Sequence, residues 1–205
     1  MGAVKNLCHS GILLNQGMIE YAGTAEDCIN TYVRTNIQEL SSECVVTEAM
    51  RLKQWSSGEI TFEHARLLNN PAGMATDEPI ELEFTMKRHF GDVVKCKYSV
   101  NVWDETDSRI VGYVTDDLPV PDSKEYKVHI TLTNHSLTAR RYKLSFTVGY
   151  KDFGSNMRSF DIVEKGALSF EVKYMRQEDK IEYSHWDRNW GAVIHQGCNI
   201  SAEIV

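Results

Sequence analysis

The chain changes its hydrophobic period once. From Gly58 onward apolar and polar residues alternate, the period of strands with one face buried in a sheet. Ile60 and Phe62 open the pattern. Ile80, Leu82, Phe84 and Met86 alternate with Glu81, Glu83, Thr85 and Lys87. Val94, Cys96, Tyr98, Val100 and Val102 alternate with Lys95, Lys97, Ser99, Asn101 and Trp103. Tyr126 to Leu132, Tyr142 to Tyr150 and Leu168 to Tyr174 repeat the pattern. Turn formers separate the runs, at Asn69-Asn70-Pro71, Phe90-Gly91-Asp92, Leu118 to Pro121 and Phe153-Gly154. Strands that each carry one apolar face must pair as two packed sheets. The expected fold is all-β, an antiparallel β-sandwich of immunoglobulin-like or jelly-roll kind, over residues 58–205.

The first 33 residues follow another pattern. Ile12-Leu13-Leu14 runs into the turn signal Asn15-Gln16-Gly17, and Met18-Ile19 resumes a strand that closes at Tyr21-Ala22-Gly23. Thr24 then caps a helix over Ala25 to Val33, with Glu26 and Asp27 in its first turn. A hairpin and one helix form a short α/β unit too small to bury its own apolar faces. Residues 34–57 hold few apolar positions and no strand period, and read as a linker.

Composition narrows the function. The formal net charge is −7, which disfavours nucleic acid and anionic membrane surfaces as partners. No apolar run is long enough to span a membrane, and Met1 to Ser10 lacks a signal-peptide core. The five cysteines stand far apart, with no C-x-x-C pair, and suit reduced thiols in the cytoplasm. Phosphate-binding loops, a serine elbow and an H-E-x-x-H helix are all missing from the sequence, and the histidines are scattered. The carboxylate pairs Asp104-Glu105 and Asp116-Asp117 sit at strand ends, where acidic turn formers are ordinary, so the reading is of a non-enzyme without cofactor or metal.

Two aromatic groupings suit carbohydrate, whose ring faces stack on aromatic side chains while amides and hydroxyls bond its hydroxyl groups. The first is Asn101 and Trp103 on one strand, with Tyr113, and His129 and Thr131 on a neighbouring polar face; Ser145 and Thr147 face out on a further strand. Trp103 either contacts ligand or caps the sandwich end, and the pattern leaves both open. The second is Trp186, Arg188 and Trp190, which either bind sugar or plug the sandwich end. Gly191 to Ile194 reads as one more short strand. It follows a long polar connection, Met175 to Asp187, and a connection of that length allows the final strand to cross to a second copy in a homodimer.

The two ends of the chain together resemble one family, the ATP-binding subunit of ABC exporters of O-antigen polysaccharide, the Wzt type. In the first 33 residues the resemblance rests on Val4, Leu7-Cys8, Ile12-Leu13-Leu14, Gly17, Ile19, Gly23, Ile29 and Tyr32. In the sandwich it rests more loosely on Gly58 with Ile60, Tyr142 with Leu144, Phe170-Glu171-Val172 and Gly191-Ala192-Val193. The resemblance implies that residues 1–33 are the tail of an ATPase domain and the sandwich a carbohydrate-binding domain. It would select the finished polysaccharide, by its modified non-reducing end, for export. ATP and magnesium would belong to the parent subunit, as would contact with a membrane permease at the inner membrane. The nucleotide-binding motifs are absent, so no ATPase activity carries over. A glycan-active enzyme and a pure dimerisation domain are the competing readings.

Overall fold

A computed structural model describes residues 4, 7–35, 40–150, 158–173 and 199–204. Trp186, Arg188, Trp190 and the strand expected at Gly191 to Ile194 lie outside the described residues. Among the described residues, no helix is long and apolar enough to cross a membrane.

The N-terminal unit forms as the pattern requires. Strands β1 (Ser10–Asn15) and β2 (Met18–Thr24) pair antiparallel. Gln16 and Gly17 both take positive φ, at 49° and 84°, the backbone that a tight two-residue hairpin demands. Helix α1 (Ala25–Thr35) follows, with the Thr24 hydroxyl accepting from the Asp27 amide at 3.1 Å. Ala25, Cys28 and Ile29 of the helix are buried against the hairpin. The hairpin's opposite face is left open: Ile12, Leu14 and Ile19 are 63%, 62% and 66% exposed. This is the surplus apolar surface expected of a unit too small to bury both faces.

The remaining strands form a sandwich. One sheet has the order β13-β10-β6-β4-β3, built from β13 (Asn199–Ile204), β10 (Glu125–Thr133), β6 (Ile80–Arg88), β4 (Ile60–Leu67) and β3 (Glu43–Val45). The other has the order β5-β12-β11-β7-β8, from β5 (Met74–Ala75), β12 (Arg158–Lys173), β11 (Arg140–Tyr150), β7 (Lys95–Asp104) and β8 (Arg109–Val114). A short β9 (Leu118–Pro119) adds to β7. All pairings are antiparallel except β5 with β12. The alternating apolar residues meet between the sheets. Phe62 and Phe84 from the first sheet pack on Phe146 from the second, with ring centroids 5.4 and 5.0 Å away. Tyr98 and Tyr126 join hydroxyls across the core at 3.2 Å, which satisfies two buried polar groups at once. Cys96 is fully buried, and desolvation pushes its thiol up to about 11, so it is an inert core thiol. The four described cysteines are free.

One expectation changes and one strand is added. Within the expected linker, the segment from Ser41 onward is sandwich. It contributes β3 to the first sheet, then runs along the outer edge of β12 in the second. Leu52 N donates to Ile162 O at 3.0 Å, and Gly58 N donates to Phe160 O at 2.8 Å. Arg51 on this segment makes a buried ion pair with Asp161, and Asp161 also accepts from the Phe62 amide at 2.9 Å. The entering chain therefore ties the two sheets together. The last described strand is Asn199–Ile204, a strand that the sequence pattern did not single out. In the single chain it pairs with β10 and closes one sheet edge.

Candidate functional site

The outer face of the β12-β11-β7-β8 sheet carries Asn101 and Trp103 of the expected grouping. Strand pairing fixes its neighbours. Across β11, β7 and β8, Lys143 stands opposite Trp103 and Trp103 opposite Arg109. One step along, Ser145 stands opposite Asn101 and Asn101 opposite Gly112; one step further, Thr147 faces Ser99. The indole N–H of Trp103 donates to Ser145 Oγ at 2.8 Å, and the Arg109 guanidinium lies over the Trp103 ring at 4.7 Å. These two contacts hold the half-buried indole in one orientation.

Beside the indole the floor is low and polar. Ser99, Ser145 and Thr147 are only 5%, 8% and 8% exposed, small hydroxyl residues set between taller neighbours. Gly112 completes the floor. A Cβ there would lie 2.8 Å from Asn101 Oδ1, so the missing side chain is what lets the Asn101 amide lie over β8. The Asn101 amide leans toward Ser99 Oγ at 3.5 Å. Small residues beside one indole give this face an aromatic end and a lining of amide and hydroxyl groups, which we read as a shallow trough. That surface matches a sugar chain, with apolar ring faces against the indole and ring hydroxyls over the polar floor.

The structure divides the rest of the expected site. His129 and Thr131 lie on β10, on the outer face of the other sheet. They share no surface with Trp103. His129 is engaged there, its Nε2 2.8 Å from Glu83, and His129 and Lys127 together hold the Glu83 carboxyl below its usual range. Tyr113 is corrected as well. It pairs with Val100, points into the core at 5% exposure, and donates its hydroxyl to His135 O at 3.4 Å. The cause is a bulge between Val102 and Trp103 where β7 meets β8. Simple alternation from Arg109 would put Tyr113 on the outer face, and the extra residue turns it inward.

Sequence reasoning missed Arg109 and Lys143 as neighbours of Trp103, because the register of β8 and β11 against β7 is not written in any one strand. One member of each carboxylate pair has a structural role. Asp104 accepts from the Thr106 and Ser108 amides, both at 2.9 Å, and Asp117 pairs with Lys95 at 2.6 Å. Among the described residues no group of side chains could hold a metal ion.

No family model and no curated protein matches the sequence. Among solved structures, the chain is similar to one described as the crystal structure of the C-terminal domain of Wzt. The TM-score is 0.52 with 12% identity, covering 70% of this chain and 84% of that one. The chain has the Wzt C-terminal fold. At this identity the likeness is one of architecture, so the Wzt comparison places the sandwich, and the trough on it is read from its own side chains.

Proposed function

We propose that the sandwich is a non-catalytic binding module that recognises an O-antigen-type polysaccharide and selects it for ATP-driven export. The observation that carries the reading is the trough: a fixed indole, an amide and a hydroxyl floor on one open sheet face of a Wzt-type fold. In this reading residues 1–33 are the tail of an ATPase domain, whose missing core would cover Ile12, Leu14 and Ile19. ATP and magnesium are bound by that parent domain, and a membrane permease is reached through it. The module works in the cytoplasm, peripheral at the inner membrane. It acts as a homodimer formed by exchange of β13. In one chain β13 adds to the β10 edge as a strand separated from β12 by residues 174–198, and a partner's strand can take the same register.

The test is titration of the chain with long-chain surface polysaccharide purified from its source organism. Saturable binding without product release is expected. Trp103→Ala should weaken it by about 1–3 kcal/mol while leaving the fold intact. His129→Ala on the opposite sheet should leave affinity unchanged. A folded Trp103→Ala variant with full affinity removes the trough from consideration, and turnover of the polymer would instead favour a glycan-active enzyme.

A further inference from the structure

The sandwich has two outer faces, and their charges run opposite ways. On the face opposite the trough, glutamates predominate among the outward residues of β3, β6, β10 and β13, in a chain of net charge −7. The trough face reverses this. Its outward described residues include Lys97, Arg109, Arg141, Lys143 and Lys173, against the acidic Glu164 and Glu171 on β12. Close pairs occur on both faces, His129 to Glu83 at 2.8 Å on the opposite one and Lys95 to Asp117 at 2.6 Å at the far end of β7. The pairs beside the indole are longer: Lys143 to Asp107 at 3.3 Å, and Arg141 to Glu171 at 3.9 Å. Loose exposed pairs contribute little, so a ligand anion displaces them at small cost. Arg109 stacks on the indole, a geometry in which a guanidinium edge can still form paired hydrogen bonds.

Resting on the glycan reading above, we propose that the recognised polysaccharide is acidic. An anionic substituent, carboxylate or phosphate, sits beside Trp103 between Arg109 and Lys143. The row of cation, indole and cation runs across three adjacent strands, so a single saccharide unit reaches all three side chains. The indole face that Arg109 does not cover takes the apolar ring face, and the two cations take the charge.

The experiment uses the whole chain and three forms of the source organism's surface polysaccharide: native, carboxyl-reduced and dephosphorylated. Native polymer should bind, and one of the two treatments should lower affinity by about tenfold or more, a loss of about 1.4 kcal/mol. Which treatment does so identifies the acid. Binding of native polymer should also weaken as salt rises from about 50 to about 500 mM, since exposed charge pairs are screened over that range. The double variant Arg109→Gln/Lys143→Gln should lose affinity for native polymer and show no further loss with the acid-free form. Trp103→Ala should weaken both. Equal, Trp103-sensitive binding of all three forms overturns the acidic ligand and leaves the polysaccharide reading standing. Absence of binding to any form by folded protein overturns both. The polymer arms need no substitution, so a variant that fails to fold does not rescue the proposal.

Discussion

The two outer faces of the sandwich are built by the same rule and do different things. Both come from strands whose alternate residues point away from one core. On the β4-β6-β10-β13 face, those residues are long and mutually paired, so Glu83, Lys127 and His129 satisfy one another in a network. On the β12-β11-β7-β8 face, a row of small residues, Ser99, Ser145, Thr147 and Gly112, lies beside one indole. Tall paired side chains fill the first face, and short ones leave the second concave. The lesson is that alternation decides which residues face outward, while side-chain size along neighbouring strands decides whether an outward face can hold anything.

The largest effect expected separates the faces by their charges. Behind the trough sheet, Asp161 is 1% exposed and paired with Arg51, which also donates to Phe62 O at 2.6 Å. Asp161→Ala leaves a buried guanidinium and the Phe62 amide without their acceptor, and should destabilise the fold by about 3–5 kcal/mol. On the other face, Glu83→Gln removes an exposed-side network and should cost under about 1 kcal/mol. Chemical denaturation of the two variants reads the difference. Equal losses would mean that the entering segment does not tie the sheets together.

A smaller effect tests the concavity. Gly112→Ala places a methyl group where Asn101 Oδ1 now lies, at 2.8 Å. The amide is the free end of a side chain and can move, so stability should change by no more than about 1 kcal/mol. The displaced amide should nevertheless weaken polysaccharide binding by several-fold. No such response is expected from Thr131→Ala on the opposite face.

Acid tests the crossover that joins the faces. His135 lies between β10 of one sheet and β11 of the other and is 1% exposed. Its Nδ1 accepts from the Leu137 amide at 3.0 Å and its Nε2 donates to Glu78 O at 2.8 Å, which defines a neutral ring. Burial lowers its affinity for a proton below the usual value, and the Glu78 carbonyl only partly opposes that. The unfolded chain then binds a proton that the folded chain refuses, so stability falls as pH drops through the ordinary histidine range near about 6.5. The unfolding midpoint should decrease between about pH 7 and pH 5, and His135→Gln should flatten that dependence.

The inward half of each pattern was legible from sequence: Ile80 to Met86, Tyr126 to Leu132 and Tyr142 to Val148 bury the apolar residues that alternation selects. The N-terminal hairpin and helix were legible because turn and cap residues act locally. Sheet membership was not, since alternation shows that His129 and Asn101 both face outward and not that they face opposite ways. Nor was the role of residues 41–57, whose pairing with β4 and β12 is decided by distant partners. Arg109 escaped notice because its meaning depends on standing opposite Trp103.

The smallest expected effect bears on the one residue whose face the bulge reversed. With Tyr113 on the trough face, its hydroxyl would bond the ligand, and Tyr113→Phe would weaken binding. In the structure that hydroxyl is buried and reaches His135 O at a long 3.4 Å. Removing a long, neutral hydrogen bond while keeping the ring should cost at most about 0.5–1.5 kcal/mol of stability. Affinity for the polysaccharide should not change, because the ring still fills the core under Val100 and the trough floor above is untouched. Titration and thermal unfolding of Tyr113→Phe therefore move in opposite ways under the two placements. A folded variant of undiminished stability but reduced affinity would return Tyr113 to the outer face and remove the bulge as the reason that β8 presents Gly112, rather than an aromatic ring, beside Asn101.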